Sequence, residues 1–274
     1  MPTIDYAGRQ TKLRAISGVD AVAIVPGPNM MYFAGLDFHL SKRPTILLFT
    51  PDGRTAVIVP RLEMPRLEPR PDLKMQYFAW TDTDGYKGAF KQAVDELGLK
   101  DKNLGVDGMT MRVTEWLAFA EAEPSLRVKA IEKEIVGIRA IKTPEEINFM
   151  RQAIAISEKA LDNLLAWVQP GLSERAIADK LLGELKNLGS TGLAFDPLIQ
   201  TGPNSALPHG ELTDRVLEPD EFLLIDYGGS INGYPADITR TFCLGTPSAE
   251  MQKIYDTVLA ANEAAKAAAG PGVA

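Results

Sequence analysis

One stretch, "EFLLIDYGGSINGYPADITRTF" (residues 221–242), constrains this chain more tightly than any other. Two β-rich runs flank Asn232-Gly233, the dipeptide best suited to positive φ at both central positions of a two-residue type I′ turn. That turn sets the register: Ile231 faces Tyr234, Asp226 faces Thr239, and Gly228 faces Asp237. Asp226 and Asp237 then share one face of the ribbon as diagonal neighbours, with β-carbons within about 7–8 Å. Gly228 has no side chain to keep the two carboxylates from converging. Two carboxylates beside the apolar "FLLI" repel one another and are costly to desolvate, so a cation is expected between them. Arginine or a divalent metal would serve. Arg240 has the opposite strand parity and should face away, which favours a metal, and hard oxygen ligands suit Mn²⁺, Mg²⁺ or Co²⁺. The plainer alternative is a hairpin whose aspartates simply face water. Two carboxylates are also too few for a catalytic ion, which typically takes about three or more protein ligands. The acidic residues beyond the hairpin, Glu250, Asp256 and Glu263, have the spacing of a solvated helix face.

At 274 residues, 45% hydrophobic and 24% charged, the chain reads as a soluble globular protein of two ordinary domains. A formal charge of −7 argues against a nucleic-acid groove or an anionic membrane surface and points to a small molecule or peptide as partner. Runs such as "AVAIV" and "TILLF" fall far short of the roughly 20 apolar residues of a membrane helix, and "MPTIDYAGRQ" has no signal-peptide apolar region. A cytoplasmic address is the expectation. Cys243 is the sole cysteine, which excludes an internal disulfide and a multi-cysteine zinc site. His39 and His209 are the only histidines, so any metal site is mainly carboxylate.

Residues 1–138 alternate strands ("AVAIV", "TILLF", "TAVIV") with helices ("GAFKQAVDELGL", "TEWLAFAEA"), an α/β pattern. "RVKAIEKEIVGIRAIK" reads as a strand followed by a connector, which places the domain boundary near residue 138. In residues 139–274, Thr143 as N-cap, Pro144 at the first helical position and Glu146 as capping-box partner open a helix over 144–168. Helix 173–189, a loop-rich segment "STGLAFDPLIQTGPNSALPHGELTDRVLEPD", the hairpin and helix 249–268 follow in α+β order. Met150–Leu172 also aligns without gaps with Met251–Val273: each runs from Met through a helix to Pro-Gly and an aliphatic residue. A true internal repeat would make the chain end as a second helix–loop–hairpin copy begins.

"TGPNSALPHG" is a rigid, turn-rich loop able to present His209 to a pocket, although a histidine that only hydrogen-bonds locally fits equally well. His39, in "FAGLDFHLSKRP", reads on its own as a surface histidine. "GGSING" does not fit a nucleophile elbow, no phosphate-binding glycine motif follows a strand, and Cys243 has no evident base. A serine, cysteine or nucleotide enzyme is disfavoured.

"FDPLIQTGPNSALPHG" and "EFLLIDYGGSINGYPADITRTF", with "IRAIKTPEEINFMRQA" upstream, resemble the pita-bread metallopeptidases, most closely the Xaa-Pro dipeptidase (prolidase) and aminopeptidase P branch; residues 1–138 resemble the creatinase-type N-terminal domain of the same proteins. The resemblance implies hydrolysis of Xaa-Pro dipeptides, or of short peptides with proline second, by a metal-activated hydroxide at a centre of two divalent ions (Mn, Co or Zn). Two aspartates, one histidine and two glutamates act there. Asp226 and Asp237 fall on the aspartate positions and His209 on the histidine that binds substrate or intermediate. Substrate contact is further implied for Phe195 and His39, the latter on a loop that related prolidases extend toward the partner's site in a homodimer. The later histidine and both glutamates would lie beyond Ala274, so that only about the first half of the pita-bread domain is expected here, with an incomplete metal site and no turnover by the chain as given. A creatinase- or ectoine-hydrolase-like amidohydrolase and a non-catalytic scaffold are the alternatives.

Overall fold

The structure, a computed structural model, describes residues 4–273. Its packing divides into two compact units between Glu145 and Glu146. The first contains α1 (Tyr6–Arg14), β1 (Ala21–Ile24), α2 (Pro28–Ala34), β2 (Ile46–Phe49), β3 (Thr55–Pro60), β4 (Met75–Trp80), α3 (Lys87–Leu97), β5 (Asn103–Val106), α4 (Val113–Ala122), β6 (Arg127–Ala130) and α5 (Glu132–Ala140). The strands form one mixed sheet in the order β4-β3-β2-β1-β5-β6, with β2 antiparallel to β1 and β3 and the remaining pairs parallel.

Strand alternation explains why "AVAI" and "ILLF" are apolar at every position. Ala21, Ala23, Ile46 and Leu48 pack with Phe90, Val94 and Phe119 of α3 and α4. Val22, Ile24, Leu47 and Phe49 pack on the other side with Leu13, Met30, Phe33 and Ile135 of α1, α2 and α5. Both faces are thus covered, giving an α/β/α arrangement. The expected connector after β6 is instead the helix α5, and residue 138 lies within it. Ile131, Ile135 and Ile138, at helical spacing, belong to the second of these cores, and burial of that stripe holds the segment helical.

The second unit comprises most of α6 (Pro144–Leu165), then α7 (Glu174–Asn187), β7 (Gly192–Leu193), β8 (Leu198–Thr201), β9 (Phe222–Tyr227), β10 (Gly229–Ile231), β11 (Tyr234–Pro235), β12 (Ile238–Cys243) and α8 (Ala249–Ala268). Pro144 opens α6, where its missing N–H costs nothing. Ser173 and Ser248 cap α7 and α8, accepting from the amides of Ala176 and Met251. The segment read as loop contains β7 and β8; flanking Pro197 and Gly202 hide a four-residue strand from any periodicity test. Two three-stranded sheets result, β12-β9-β8 and β11-β10-β7. Leu161, Leu164, Ile177, Leu181 and Leu185 pack on Ile199, Leu223, Ile225, Tyr227 and Ile238, so α6 and α7 cover one face of β12-β9-β8. Leu224 and Asp226 alternate to the other face and are half-buried. α8 buries no residue; Ile254 and Val258 are 52% and 64% exposed. Among the described residues no helix is long and apolar enough to cross a membrane.

Candidate active site

The hairpin carries the site's acidic pair, and its turn adopts the expected backbone: Asn232 and Gly233 have φ of 51° and 81°. Ile231 faces Tyr234 and Asp226 faces Thr239, as such a turn dictates. The ladder is nonetheless interrupted at Gly228 and at Ala236–Asp237, which splits the ribbon between two sheets. The cause is a close approach of backbone to backbone. A Cβ at Gly228 would overlap the Ala236 carbonyl oxygen, so glycine is required there to pass the facing strand rather than to leave room between carboxylates. This bend is pinned to α6: the buried Ser157 hydroxyl accepts from the Gly229 amide at 2.9 Å and donates to the Ala153 carbonyl, while the Tyr227 hydroxyl donates to the Ser157 carbonyl at 2.6 Å. Burial pushes the Tyr227 phenol well above its ordinary pKa, so it stays a neutral donor.

Asp226 Oδ1 accepts from the Thr239 hydroxyl at 2.7 Å, which holds its carboxylate on the face away from the helices. Ala236, Asp237, Ile238 and Thr239 alternate buried and exposed, and so place Asp237 on that same outward side. Arg240 faces Ile225 across the ladder, the parity opposite to Asp226, and its Nη1 donates to the Thr239 carbonyl. Among the described residues no ion pair involves either aspartate. The donor set fits a hard divalent cation in kind. It falls short in number: among the described residues no group of three or more His, Cys, Asp or Glu side chains is placed to hold a metal.

His209 is exposed, in a turn that follows the 3₁₀ segment Gly202–Ala206. What fixes this loop is a residue that sequence reasoning passed over. Glu174, at the first position of α7 and 0% exposed, accepts five hydrogen bonds: from the Thr201 amide (2.8 Å) and hydroxyl (3.1 Å), Asn204 Nδ2 (2.9 Å), and the Thr213 amide (3.1 Å) and hydroxyl (2.5 Å). One carboxylate thus ties both ends of the loop that carries His209. Burial works to raise its pKa, but the bonds from Thr213, Thr201 and Asn204 outweigh it and hold the carboxyl below its ordinary value. A second tie is the bidentate Arg215–Glu221 pair at 2.5 and 2.6 Å, with Arg215 also donating to the Thr201 hydroxyl. Its guanidinium holds the Glu221 carboxyl below the usual carboxylate range. From sequence alone, Glu174 looks like an ordinary acidic residue in a helix's first turn; the only signal was its place after the capping serine.

Phe195, 36% exposed, lies three residues ahead of Leu198, which faces Asp226. His39 belongs to the first unit, exposed in a loop held by three arginines: Arg43 pairs with Asp82, Arg66 donates to the Asp37 carbonyl and Arg112 to the Ser41 carbonyl. The outward sheet face therefore carries Asp226 and Asp237, the Gly210 end of the His209 turn lies against Gln200 of β8, and His39 is a residue of the other unit.

Residues 148–274 match the model of metallopeptidase family M24, and residues 9–141 match that of the creatinase/prolidase N-terminal domain. An uncharacterized peptidase of Staphylococcus saprophyticus is 30% identical over 254 residues, covering 93% of this chain and 70% of that protein. The recombinant prolidase from Thermococcus sibiricus superimposes with a TM-score of 0.89 at 28% identity, over 96% of this chain and 72% of its own. An X-Pro aminopeptidase from Thermotoga maritima gives 0.79 at 27% identity, over 94% and 70%.

Proposed function

The chain belongs to metallopeptidase family M24, with a creatinase-type α/β N-terminal domain ahead of an α+β pita-bread domain, and from that premise we propose that it serves the hydrolysis of Xaa-Pro dipeptides or of short peptides with proline second. One observation supports the reading above others. Asp226 and Asp237 stand on the sheet face turned away from the helices, with no cationic side chain paired to them among the described residues, and the Gly210 end of the His209 turn meets Gln200 of that face.

Asp226 and Asp237 would hold two divalent ions (Mn²⁺, Co²⁺ or Zn²⁺), with further ligands from the portion of M24 relatives that this chain does not span. Bound ions supply Lewis-acid activation of water and of the peptide carbonyl. The chain's own residues do the rest: Thr239 orients Asp226, Glu174 holds the loop, and His209 donates to the carbonyl oxygen of the peptide as it gains charge. Phe195 contacts the substrate side chain, and His39 reaches toward the substrate in the partner's site, in a cytoplasmic homodimer. The exposed face of α8 supports placing the remaining ligands elsewhere: Ile254 and Val258 align with Ala153 and Ser157, which are buried on α6.

The test uses a form that spans the whole length of its M24 relatives. With Mn²⁺ or Co²⁺ it should cleave Ala-Pro and leave Ala-Ala intact. Asp226→Asn and Asp237→Asn should each abolish that cleavage with the fold retained by circular dichroism. Full activity in either variant, or cleavage indifferent to proline, removes the reading.

A further inference from the structure

Gln200 is 1% exposed, and its Nε2 is a buried donor with no acceptor among the described residues. On β8 it faces Leu224, just as Leu198 faces Asp226, so its side chain rises from the face that carries Asp226. At its far end is Gly210. A Cβ built at Gly210 would overlap Gln200 Nε2 and come within 3.3 Å of both Gln200 Cδ and Leu207 Cβ. Gly210 is not among the residues with positive φ, so the backbone does not demand glycine there. The space occupied by Gln200 does. Nor can that amide swing away cheaply, since Gln200 is almost wholly out of solvent and lies beneath the turn. An unpaired buried donor makes no bond to the turn, so what Gln200 contributes there is the volume of its side chain rather than a hydrogen bond.

We infer that Gln200 is the positioning residue of His209. Its amide fills the slot left by the absent side chain of Gly210, seats the Leu207–Gly210 turn on the sheet and fixes the backbone that carries the imidazole above the Asp226 face. This rests on the proposed role of His209 at that face, and the two are tested separately.

The chain has two histidines, so its imidazole Cε1–H signals are two, and His39→Gln assigns them. The readout is the His209 signal in the 274-residue protein, which needs no turnover. Gly210→Ala should shift and broaden it and leave the His39 signal in place. Adding Gln200→Ala to Gly210→Ala should return it toward the wild-type position, and Gln200→Met alone should leave it unmoved. An unperturbed signal in Gly210→Ala, a double variant no closer to wild type than Gly210→Ala, or a displaced signal in Gln200→Met overturns the inference. Should Gly210→Ala fail to fold, the double variant decides: folded with a wild-type His209 signal supports the slot, unfolded refutes it. Failure of His209→Asn to impair Ala-Pro cleavage in a form that spans the whole length of its M24 relatives would instead remove the role of His209 and leave the packing result standing.

Discussion

Replacing Glu174 with glutamine is the sharpest perturbation of this site that keeps side-chain size. The carboxylate accepts from Thr201 and Asn204 through Oε1 and from Thr213 through Oε2. A glutamine does least harm with its oxygen toward Thr201 and Asn204. Its NH₂ then meets the Thr213 amide donor to donor, and that buried N–H loses its acceptor at a cost of about 1–3 kcal/mol. Three remaining bonds change from charge-assisted to neutral, each weaker by about 1 kcal/mol, partly offset because no charge is buried. The net loss is about 2–4 kcal/mol. Since about 1.4 kcal/mol is tenfold in an equilibrium constant, amides of segment 201–213 should exchange with deuterium roughly 30- to 700-fold faster at neutral pH.

Acid supplies the sign. A carboxyl whose folded pKa lies below its unfolded value contributes stability that is present above the unfolded value and lost as pH falls through the folded one. The wild type should therefore lose the advantage below the unfolded carboxylate value of about 4.3. Hydrogen exchange and urea unfolding at neutral and acid pH measure both. Equal protection of segment 201–213 in wild type and Glu174→Gln, or a deficit that does not shrink in acid, would refute the clamp.

Other outcomes follow from the same geometry. Gly228→Ala should destabilise the second unit by at least about 1–3 kcal/mol, read as a lower urea midpoint, because its methyl meets the Ala236 carbonyl. Tyr227→Phe should cost about 1–2 kcal/mol, since it leaves the buried Ser157 carbonyl without its donor. Gln200→Met should raise the thermal midpoint, with a gain of about 1 kcal/mol from removal of the unpaired Nε2. The 274-residue protein should show no turnover of Ala-Pro with added Mn²⁺ or Co²⁺, because its described residues offer a metal no group of three ligands.

Legibility followed how local each determinant was. Asn232-Gly233 demands positive φ at two successive residues, and the register that sets Asp226 against Thr239 follows from that alone. Apolar runs likewise declared β1, β2 and β3 of the first sheet, whereas β4 and β5, short and interrupted by Gln76 and Gly105, were not read. α5 was missed because its charged residues masked the Ile131, Ile135, Ile138 stripe until a sheet face was there to receive it. The reasons behind Gly228, Gly210 and Glu174 are contacts with Ala236, Gln200 and the 201–213 loop. Short-range patterns do not carry which backbone atom or side chain will arrive from elsewhere. The acidic pair was therefore readable before its surroundings were.

Metal affinity, measured in a form that spans the whole length of its M24 relatives, bears most directly on the role given to that pair. Calorimetric titration with Mn²⁺ should show binding in the wild type and its loss in both Asp226→Asn and Asp237→Asn, with circular dichroism and thermal midpoints retained. Wild-type Mn²⁺ affinity in either folded variant would contradict the account.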